Sequence, residues 1–195
     1  NRWGNFPSVA GGWVISNEPF MKTDAISYLK LRGSWGIIGN DKIDTGAAFP
    51  TVASNLNAVF GQNQSIYPGA ALVELANEEL KWEETEQVDV GLEFGFFNNH
   101  LSAEVDWYRR ETSDILVRVP IPNSVGVPIA PVVNAAAVVN KGFEFNLNWN
   151  SDTPEFKYNI GLNLTTVDNE VLSLGGGLEE IFAGGVRNIG SSTRT

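Results

Sequence analysis

Two acidic residues, Glu104 and Asp106, stand two positions apart in a stretch where apolar and polar residues alternate. In a strand, both carboxylates would point to the same face. Paired carboxylates are the groups that hydrolyse glycosidic bonds, one as an acid and the other as a base or nucleophile. The sequence places no general acid beside this pair, so we predict no catalytic residue here.

A second acidic group, formed by Glu83, Glu84 and Glu86, raises the question of a metal site. We interpret this group as a solvated surface, and we interpret Asp41 and Asp44 in the same way, because their spacing lacks the ligand series of a calcium loop. The chain has no cysteine, which excludes thiolate metal sites, disulfides and cysteine nucleophiles. We therefore predict neither a metal nor any other cofactor.

The single histidine, His100, follows two asparagines between two predicted strands. Its neighbours supply no nucleophile at a suitable spacing, so we interpret it as a solvated turn residue. The net charge is −10, from 23 acidic and 13 basic residues, and no run of Lys or Arg forms a basic stripe. These features predict a protein that is not an enzyme and that does not bind nucleic acid.

The elements that carry these side chains are strands, as residues 88 to 107 show most clearly. Every even position from Val88 to Phe96 is apolar, and after a short break every odd position from Leu101 to Trp107 is apolar. Strict alternation indicates a strand, because successive side chains point to opposite faces. The segment is therefore predicted to be a hairpin in which Phe96 pairs with Leu101 across the turn.

Residues 29 to 37, 143 to 149 and 156 to 164 alternate in the same way. Together with residues 88 to 107 they give 23 positions on one face, all of them apolar or aromatic except Gly33. The other face has 18 positions, and the eight that are charged are Lys30, Arg32, Asp89, Glu93, Glu104, Asp106, Glu144 and Lys157. The predicted class is all-β and antiparallel.

Two environments suit such an apolar face: the core of a soluble β-sandwich, or the lipid around a transmembrane β-barrel. Three features favour the barrel. The runs last about 9 to 12 residues, which matches a hydrocarbon layer, and the polar face is rich in Gly and Asn. Aromatic residues such as Phe96, Trp149 and Phe156 also fall near the turns, as in an interfacial girdle.

The connections between these runs alternate in length. Short turns contrast with long connections at about 39 to 84 and 118 to 138, and a long structureless loop is unusual in a compact soluble domain. Roughly seven strands are readable, including weak ones at 6 to 15 and 181 to 189, and the pattern is unfinished at both ends. Since membrane strands must close into a barrel, we expect an incomplete arc of a larger one.

Three stretches of the chain carry recognisable motifs. LKLRGSWGIIGN (29 to 40) and NKGFEFNLNW (140 to 149) resemble the LKLR-x-S-x-G-x-x-GN signature and the NKG-x-E-xx-L-x-W strand of the SusC/RagA family of TonB-dependent outer-membrane transporters. The segment from 80 to 116, which begins LKWEETEQVDVGLEF, also resembles the family's sequence. With weaker agreement at the flanks, the resemblance covers most of residues 5 to 177.

The resemblance implies a plugged barrel of the 22-stranded class in a bacterial outer membrane, of which this chain is one segment without the plug. It implies import of oligosaccharides or peptides, energy from the TonB complex, a SusD-like lipoprotein as partner and contact with outer-membrane lipid. The two long connections would be extracellular loops, and the eight charged polar-face residues would line the lumen. They would contact plug or cargo there, or be solvated or paired wall charges.

Ligand contacts are the least defined part of the prediction. Tyr67 and Trp82, in or near the first long loop, suit stacking on a sugar, and they suit packing within the loop or the girdle equally well. Two other functions stay open from the residues alone. One is a soluble carbohydrate-binding β-sandwich, and the other is a passive porin.

Overall fold

A computed structural model describes residues 3 to 174, except 22, 24, 44, 45, 55, 120 and 153 to 155. The weak strand predicted at 181 to 189 lies outside the described residues. Eleven strands are present among them: β1 (Ser8–Val14), β2 (Ile26–Asn40), β3 (Thr51–Ser54), β4 (Ala58–Phe60), β5 (Ser65–Tyr67), β6 (Ala70–Glu74), β7 (Glu83–Phe96), β8 (Leu101–Arg118), β9 (Val132–Asp152), β10 (Lys157–Thr165) and β11 (Asp168–Ser173).

Helical structure in this part of the chain is limited to three short 3-10 segments, Ile15–Asn17, Pro19–Met21 and Asn123–Val125. The first two lie in the connection from β1 to β2. Within the described ranges, no helix has the length and apolar character needed to cross a membrane.

The main sheet is antiparallel, with the order β1, β2, β7, β8, β9, β10. β11 follows β10 along the same edge of β9 in an unchanged register, since Thr165 pairs with Glu144 and Asp168 pairs with Lys141. Among the strands that the structure describes, β1 and the β10–β11 edge each have a neighbour on one side only, so these strands do not close a sheet. The all-β, antiparallel prediction is confirmed.

The central strands are long, with 15 residues in β2, 14 in β7, 18 in β8 and 21 in β9. Strands of soluble proteins usually have about 5–6 residues. The turn between β7 and β8 occupies residues 97 to 100, where Phe97, Asn98 and Asn99 all have positive φ. Asparagine tolerates this conformation well, and Phe96 pairs with Leu101 as predicted.

The register collects the alternating residues on two faces. On the apolar face one continuous row runs Leu31, Leu92, Val105, Phe145 and Leu164 across five strands. No second layer covers this row in the part of the chain that the structure describes, where the buried apolar side chains are only Ala47, Leu80, Ala136 and Val139. The face is a bare apolar surface, which disagrees with a two-layer sandwich.

The border of the apolar face crosses the sheet obliquely. Among the outward-facing positions, the last large apolar side chain toward the end of the strand is Ile37 on β2 and Leu164 on β10. Leu164 lies in the row of Leu31, so the border shifts by six residues over the four strand spacings from β2 to β10. At ~3.3 Å per residue and ~4.8 Å per strand spacing, the border is inclined by about 45° to the rows. A horizontal membrane border on strands tilted by ~35–45° has this slope.

The two long connections leave the sheet at the same end. Residues 41 to 82 contain two small pairs of strands, β3 with β6 and β4 with β5. The second long connection consists of residues 119 to 131. It is shorter than the predicted connection at 118 to 138, because β9 begins at Val132. The two meet where the Ile129 amide donates a hydrogen bond to the Val73 carbonyl and Arg118 Nη1 lies 2.7 Å from Glu74 Oε1.

Candidate functional site

The polar face brings six of the eight predicted charged residues into two neighbouring rows. Lys30, Glu93 and Glu104 share one row, and Arg32, Asp106 and Glu144 share the next, where Gly91 lies between Arg32 and Asp106. Asp89 belongs to the third row, opposite Ser34, and Lys157 lies apart at the start of β10, opposite Asp152. Alternation along each strand and the antiparallel register are together sufficient to assemble this cluster.

Ion pairs connect β2 with both β7 and β8. Lys30 Nζ lies 2.9 Å from Glu93 Oε1, and Arg32 Nη2 lies 2.7 Å from Asp106 Oδ2. Arg32 Nε is also 3.4 Å from Glu93 Oε1. Arg32 therefore reaches across β7 to a strand that is not its neighbour. Gly91 permits this, because a Cβ at that position would overlap both the Asp106 carboxylate and the Arg32 guanidinium.

The two rows carry more negative than positive charge. Four carboxylates, on Glu93, Glu104, Asp106 and Glu144, face two cations, Lys30 and Arg32, so the local balance is −2. Glu104 and Glu144 form no ion pair or hydrogen bond with any described residue. Each lies directly opposite another carboxylate, Glu104 opposite Glu93 and Glu144 opposite Asp106. Like charges in that arrangement are destabilising unless a cation approaches them.

An open hollow of about 750 Å³ adjoins this cluster. Its lining consists of Arg32, Ser34, Gln87, Asp89, Asp106, Tyr108, Arg110, Asn140, Glu144 and Val167. The lining side chains form a series of hydrogen bonds. Arg110 Nε donates to Gln87 Oε1 at 3.0 Å, and Gln87 Nε2 donates to Asp89 Oδ2 at 2.9 Å. The Ser34 hydroxyl donates to the same Asp89 oxygen at 3.2 Å.

Sequence reasoning missed Tyr108 and Arg110 as members of this surface. The predicted alternation on β8 stopped at Trp107, whereas the strand continues to Arg118. The signal was present, because Tyr108 and Arg110 continue the phase of Glu104 and Asp106. Gln87 and Asn140 were missed for a related reason, since each lies just outside a predicted run.

The two candidate ligand-binding aromatics lie in different settings. Tyr67, at the end of β5, is 54% exposed, and its ring centroid is 6.0 Å from that of Phe60. Trp82 stacks on Phe6, with centroids 5.5 Å apart and planes inclined by 14°. The Phe6 ring also lies over Gly39, where it would overlap a Cβ. One ring face of Trp82 is thus already covered, and Tyr67 is the more open of the two.

The remaining candidates for chemistry lie apart from the polar rows. His100 is exposed in the β7–β8 turn, with Nδ1 2.9 Å from the Asn150 carbonyl oxygen. Asp44 lies outside the described residues. Among the residues that are described, no three His, Cys, Asp or Glu side chains are arranged to hold a metal ion. The polar face can form ion pairs and hydrogen bonds, above all with cationic groups.

The chain matches the family described as "TonB dependent receptor-like, beta-barrel" over residues 1 to 187. It is 38% identical over 181 residues to the TonB-dependent receptor SusC of Bacteroides thetaiotaomicron, and this match covers 91% of the chain and 18% of SusC. It is 35% identical over 178 residues to the TonB-dependent receptor P26 of Formosa agariphila, covering 90% of the chain and 18% of that receptor. The chain thus spans less than a fifth of the length of these relatives.

Solved structures agree with the sequence matches. The "RagAB peptide importer" in the "open-open" state matches with a TM-score of 0.80 and 29% identity, over 97% of this chain and 20% of that one. The same importer in the "closed-closed" state matches with a TM-score of 0.76 and 29% identity, over 92% and 19%. The predicted SusC/RagA resemblance and barrel class are confirmed, and the family is one of receptors, in agreement with the prediction that the chain is not an enzyme. The chain belongs to the TonB-dependent receptors, as part of their β-barrel.

Proposed function

We propose that this chain is one segment of an outer-membrane transporter that imports nutrients. The observation that carries the proposal is the bare apolar face with its oblique border, because a single-layer sheet with such a face suits strands that stand tilted in lipid. In this arrangement the apolar face contacts outer-membrane lipid and the polar face lines the lumen. Residues 41 to 82 and 119 to 131 then form extracellular loops, and the β7–β8 turn lies at the periplasmic rim.

The lumen wall is proposed to hold cationic partners. The four carboxylates of the two central rows exceed their two cations, and Glu104 and Glu144 are free to accept further ion pairs. A plug domain inside the barrel would meet this wall, and so would cargo on its way past the plug. Asp89 and Lys157 extend the same face, with Asp89 engaged by Gln87 and Ser34.

Membership of the family supports a proposal for the energy source and the partners of transport. We infer that transport is driven through the TonB complex, which acts on parts of the protein outside this segment, and that a SusD-like lipoprotein assists at the cell surface. The cargo is proposed to be an oligosaccharide or a peptide. Tyr67 is the better placed of the two aromatic candidates to stack on it, because its ring is more than half exposed.

A transport assay with the full-length protein tests this function. Cells that produce it are given labelled oligosaccharides and peptides, with and without a functional TonB complex. We expect uptake of one cargo class that requires TonB. Equal uptake without TonB would instead identify a passive porin.

The barrel itself has a separate test. The full-length protein should fractionate with the outer membrane, require detergent for extraction and change its electrophoretic mobility on boiling. Recovery in the aqueous fraction with unchanged mobility would contradict the transmembrane barrel and with it the proposed function.

A further inference from the structure

The end of the first long connection lies beside the second one. Residues 73 to 81, which we term the return limb, lead the chain from β6 back toward β7. At the outer end of the return limb, the Ile129 amide donates to the Val73 carbonyl oxygen at 3.1 Å, and Glu74 forms a parallel bridge with Ile129. Because this bridge is parallel, the return limb and the end of the second connection run in the same direction.

Side-chain hydrogen bonds continue this contact down to the sheet. Asn77 Nδ2 donates to the Val132 carbonyl oxygen at 2.9 Å, and the Lys81 amide donates to Asn134 Oδ1 at 2.9 Å. The contacts follow one another in the same order along both segments. The return limb is therefore joined to the second connection at its outer end and to the start of β9 at its inner end.

Arg118, the last residue of β8, contacts both connections at once. Its Nη1 lies 2.7 Å from Glu74 Oε1 and donates to the Ala130 carbonyl oxygen, also at 2.7 Å. The Glu74 side chain is only 16% exposed. Loss of the guanidinium would leave a mostly buried carboxylate without its cation, which costs far more than the loss of an exposed ion pair.

The part of the first connection from β3 to β6 is a two-stranded arm that ends in Glu74. Its two strand pairs, β3 with β6 and β4 with β5, are joined where the Leu56 amide donates to the Gly69 carbonyl oxygen at 3.1 Å. No charged residue precedes Glu74 in the arm. Glu74 is therefore the one residue through which the arm can form an ion pair, and Arg118 is its partner.

We propose that Arg118 couples the two connections, so that a displacement of the arm also displaces the second connection. The inner end of the return limb is bound to the sheet through Asn134, and the ion pair with Glu74 is the charged contact that holds its outer end. Arg118 is thus a positioning residue for both connections. The coupling goes beyond the proposed transport function. Only its consequence for import, that a molecule which meets one connection also shifts the other, rests on that function.

The coupling is tested by the distance between two spin labels on the full-length protein in detergent. One label replaces Gln62 in the turn of the arm and the other replaces Asn123 in the second connection, and both positions are exposed. We expect a narrow distance distribution in the otherwise unaltered protein and a broader one in Arg118→Gln. Distributions that are broad in both proteins, or equally narrow in both, would overturn the proposal.

Hydrogen exchange measures the effect of Arg118→Gln at one amide of each connection. The Ile129 amide belongs to the second connection, and the Asn77 amide, which donates to the Ala47 carbonyl oxygen at 3.2 Å, belongs to the first. We expect both amides to exchange about ten-fold faster in this variant, because the loss of a charge-assisted hydrogen bond lowers the cost of local opening. Faster exchange at Ile129 alone would reduce Arg118 to a local contact and contradict the coupling.

Arg110→Gln is the matched control, since Arg110 lies on the same strand but its Nε donates to Gln87 Oε1 at 3.0 Å. It should leave the distance distribution and both exchange rates unchanged. Glu74→Gln should act in the same direction as Arg118→Gln, and the double variant should have no larger effect than Arg118→Gln alone. Additive effects would show that the two residues act independently.

Heat-modifiable mobility verifies that each variant has assembled, and Glu74→Gln decides the question if Arg118→Gln does not assemble. TonB-dependent uptake by the unaltered protein tests the proposed function separately. Failure of that uptake concerns transport alone, whereas unchanged distances and exchange rates in Arg118→Gln contradict the coupling alone.

Discussion

Arg32 is the residue on which the polar rows depend most. Its guanidinium contacts Glu93 on the neighbouring strand and Asp106 on the strand beyond it. The sequence predicts that Arg32, Glu93 and Asp106 all lie on the polar face. It does not predict which of them pair, because a shift of the strand register by two residues would keep every side chain on the same face. The even-numbered turn before Leu101 fixes that register for β7 and β8.

Gly91 is expected to tolerate no side chain. In Gly91→Ala the new methyl group would overlap the Arg32 and Asp106 side chains, and forcing extra volume into a packed position costs about 1–3 kcal/mol. We expect the full-length protein to lose its heat-resistant mobility at a lower temperature than the unaltered one. Gly11→Ala is the matched control, since a Cβ there meets no atom within 4 Å. Equal midpoints for the two variants would show that the ion pair does not depend on Gly91.

At the level of elements, the long strands were predictable and the loop strands were not. Most of β2 and β7, residues 101 to 107 of β8 and residues 143 to 149 of β9 alternate between apolar and polar side chains, as expected of a strand with two different faces. β3 to β6 are three to five residues long and lie in a segment rich in Ala, Gly, Asn and Ser that shows no sustained alternation. The start of β9 lies in the predicted connection at 118 to 138, because that segment is rich in Gly, Pro, Asn and Ala and shows no alternation.

Asn134 on β9 forms hydrogen bonds that join the C-terminal end of the connection at residues 41 to 82 to the sheet. Its Nδ2 donates to the carbonyl oxygens of Lys81 and Asp114, at 2.8 and 2.7 Å, and its Oδ1 accepts from the Lys81 amide at 2.9 Å. Asp114 has φ 54° at a β-bulge, so the contact also holds an irregular point of β8. No pattern in the sequence indicates these contacts, because Lys81 and Asp114 lie 53 and 20 positions from Asn134.

Asn134→Asp should release residues 41 to 82 from the sheet. The carboxylate keeps the shape of the amide but loses both donated hydrogen bonds and points negative charge at two carbonyl oxygens, at a cost of about 1–3 kcal/mol for unsatisfied groups. We expect limited proteolysis of the full-length protein in detergent to cut this connection several-fold faster. Asn163→Asp, on the exposed polar face of β10, serves as the control. Equal cleavage rates in the two variants would contradict a fastening role for Asn134.

For the whole molecule, the decisive property is that one face of the sheet is apolar and the other is polar, so that each face needs a different environment. Alternation was sufficient to predict this property, because apolar and polar side chains alternate without interruption within each predicted strand. They were insufficient to predict the slope of the apolar border, which becomes visible only when the registers of five strands are combined. That slope is the feature that separates tilted membrane strands from a core.

Leu92→Arg is expected to impair assembly of the barrel. Leu92 lies in the middle of the apolar face, and an arginine facing lipid at mid-membrane costs about 2–4 kcal/mol. Glu104→Arg is the control, because Glu104 lies on the polar face and has no partner among the described residues. The amount of heat-modifiable protein in the outer membrane should fall for Leu92→Arg and stay near normal for Glu104→Arg. Similar yields would mean that the faces are assigned incorrectly.

The tight turn between β7 and β8 has an evolutionary consequence. The four turn residues bring the chain back with the apolar side chains of β8 on the same face as those of β7. The outer edges of this hairpin can therefore pair with the edges of any hairpin of the same kind. Copying or deleting such a piece leaves the orientation of every other strand unchanged. Barrels of this kind can therefore change circumference by duplication of whole hairpins, which keeps the number of strands even.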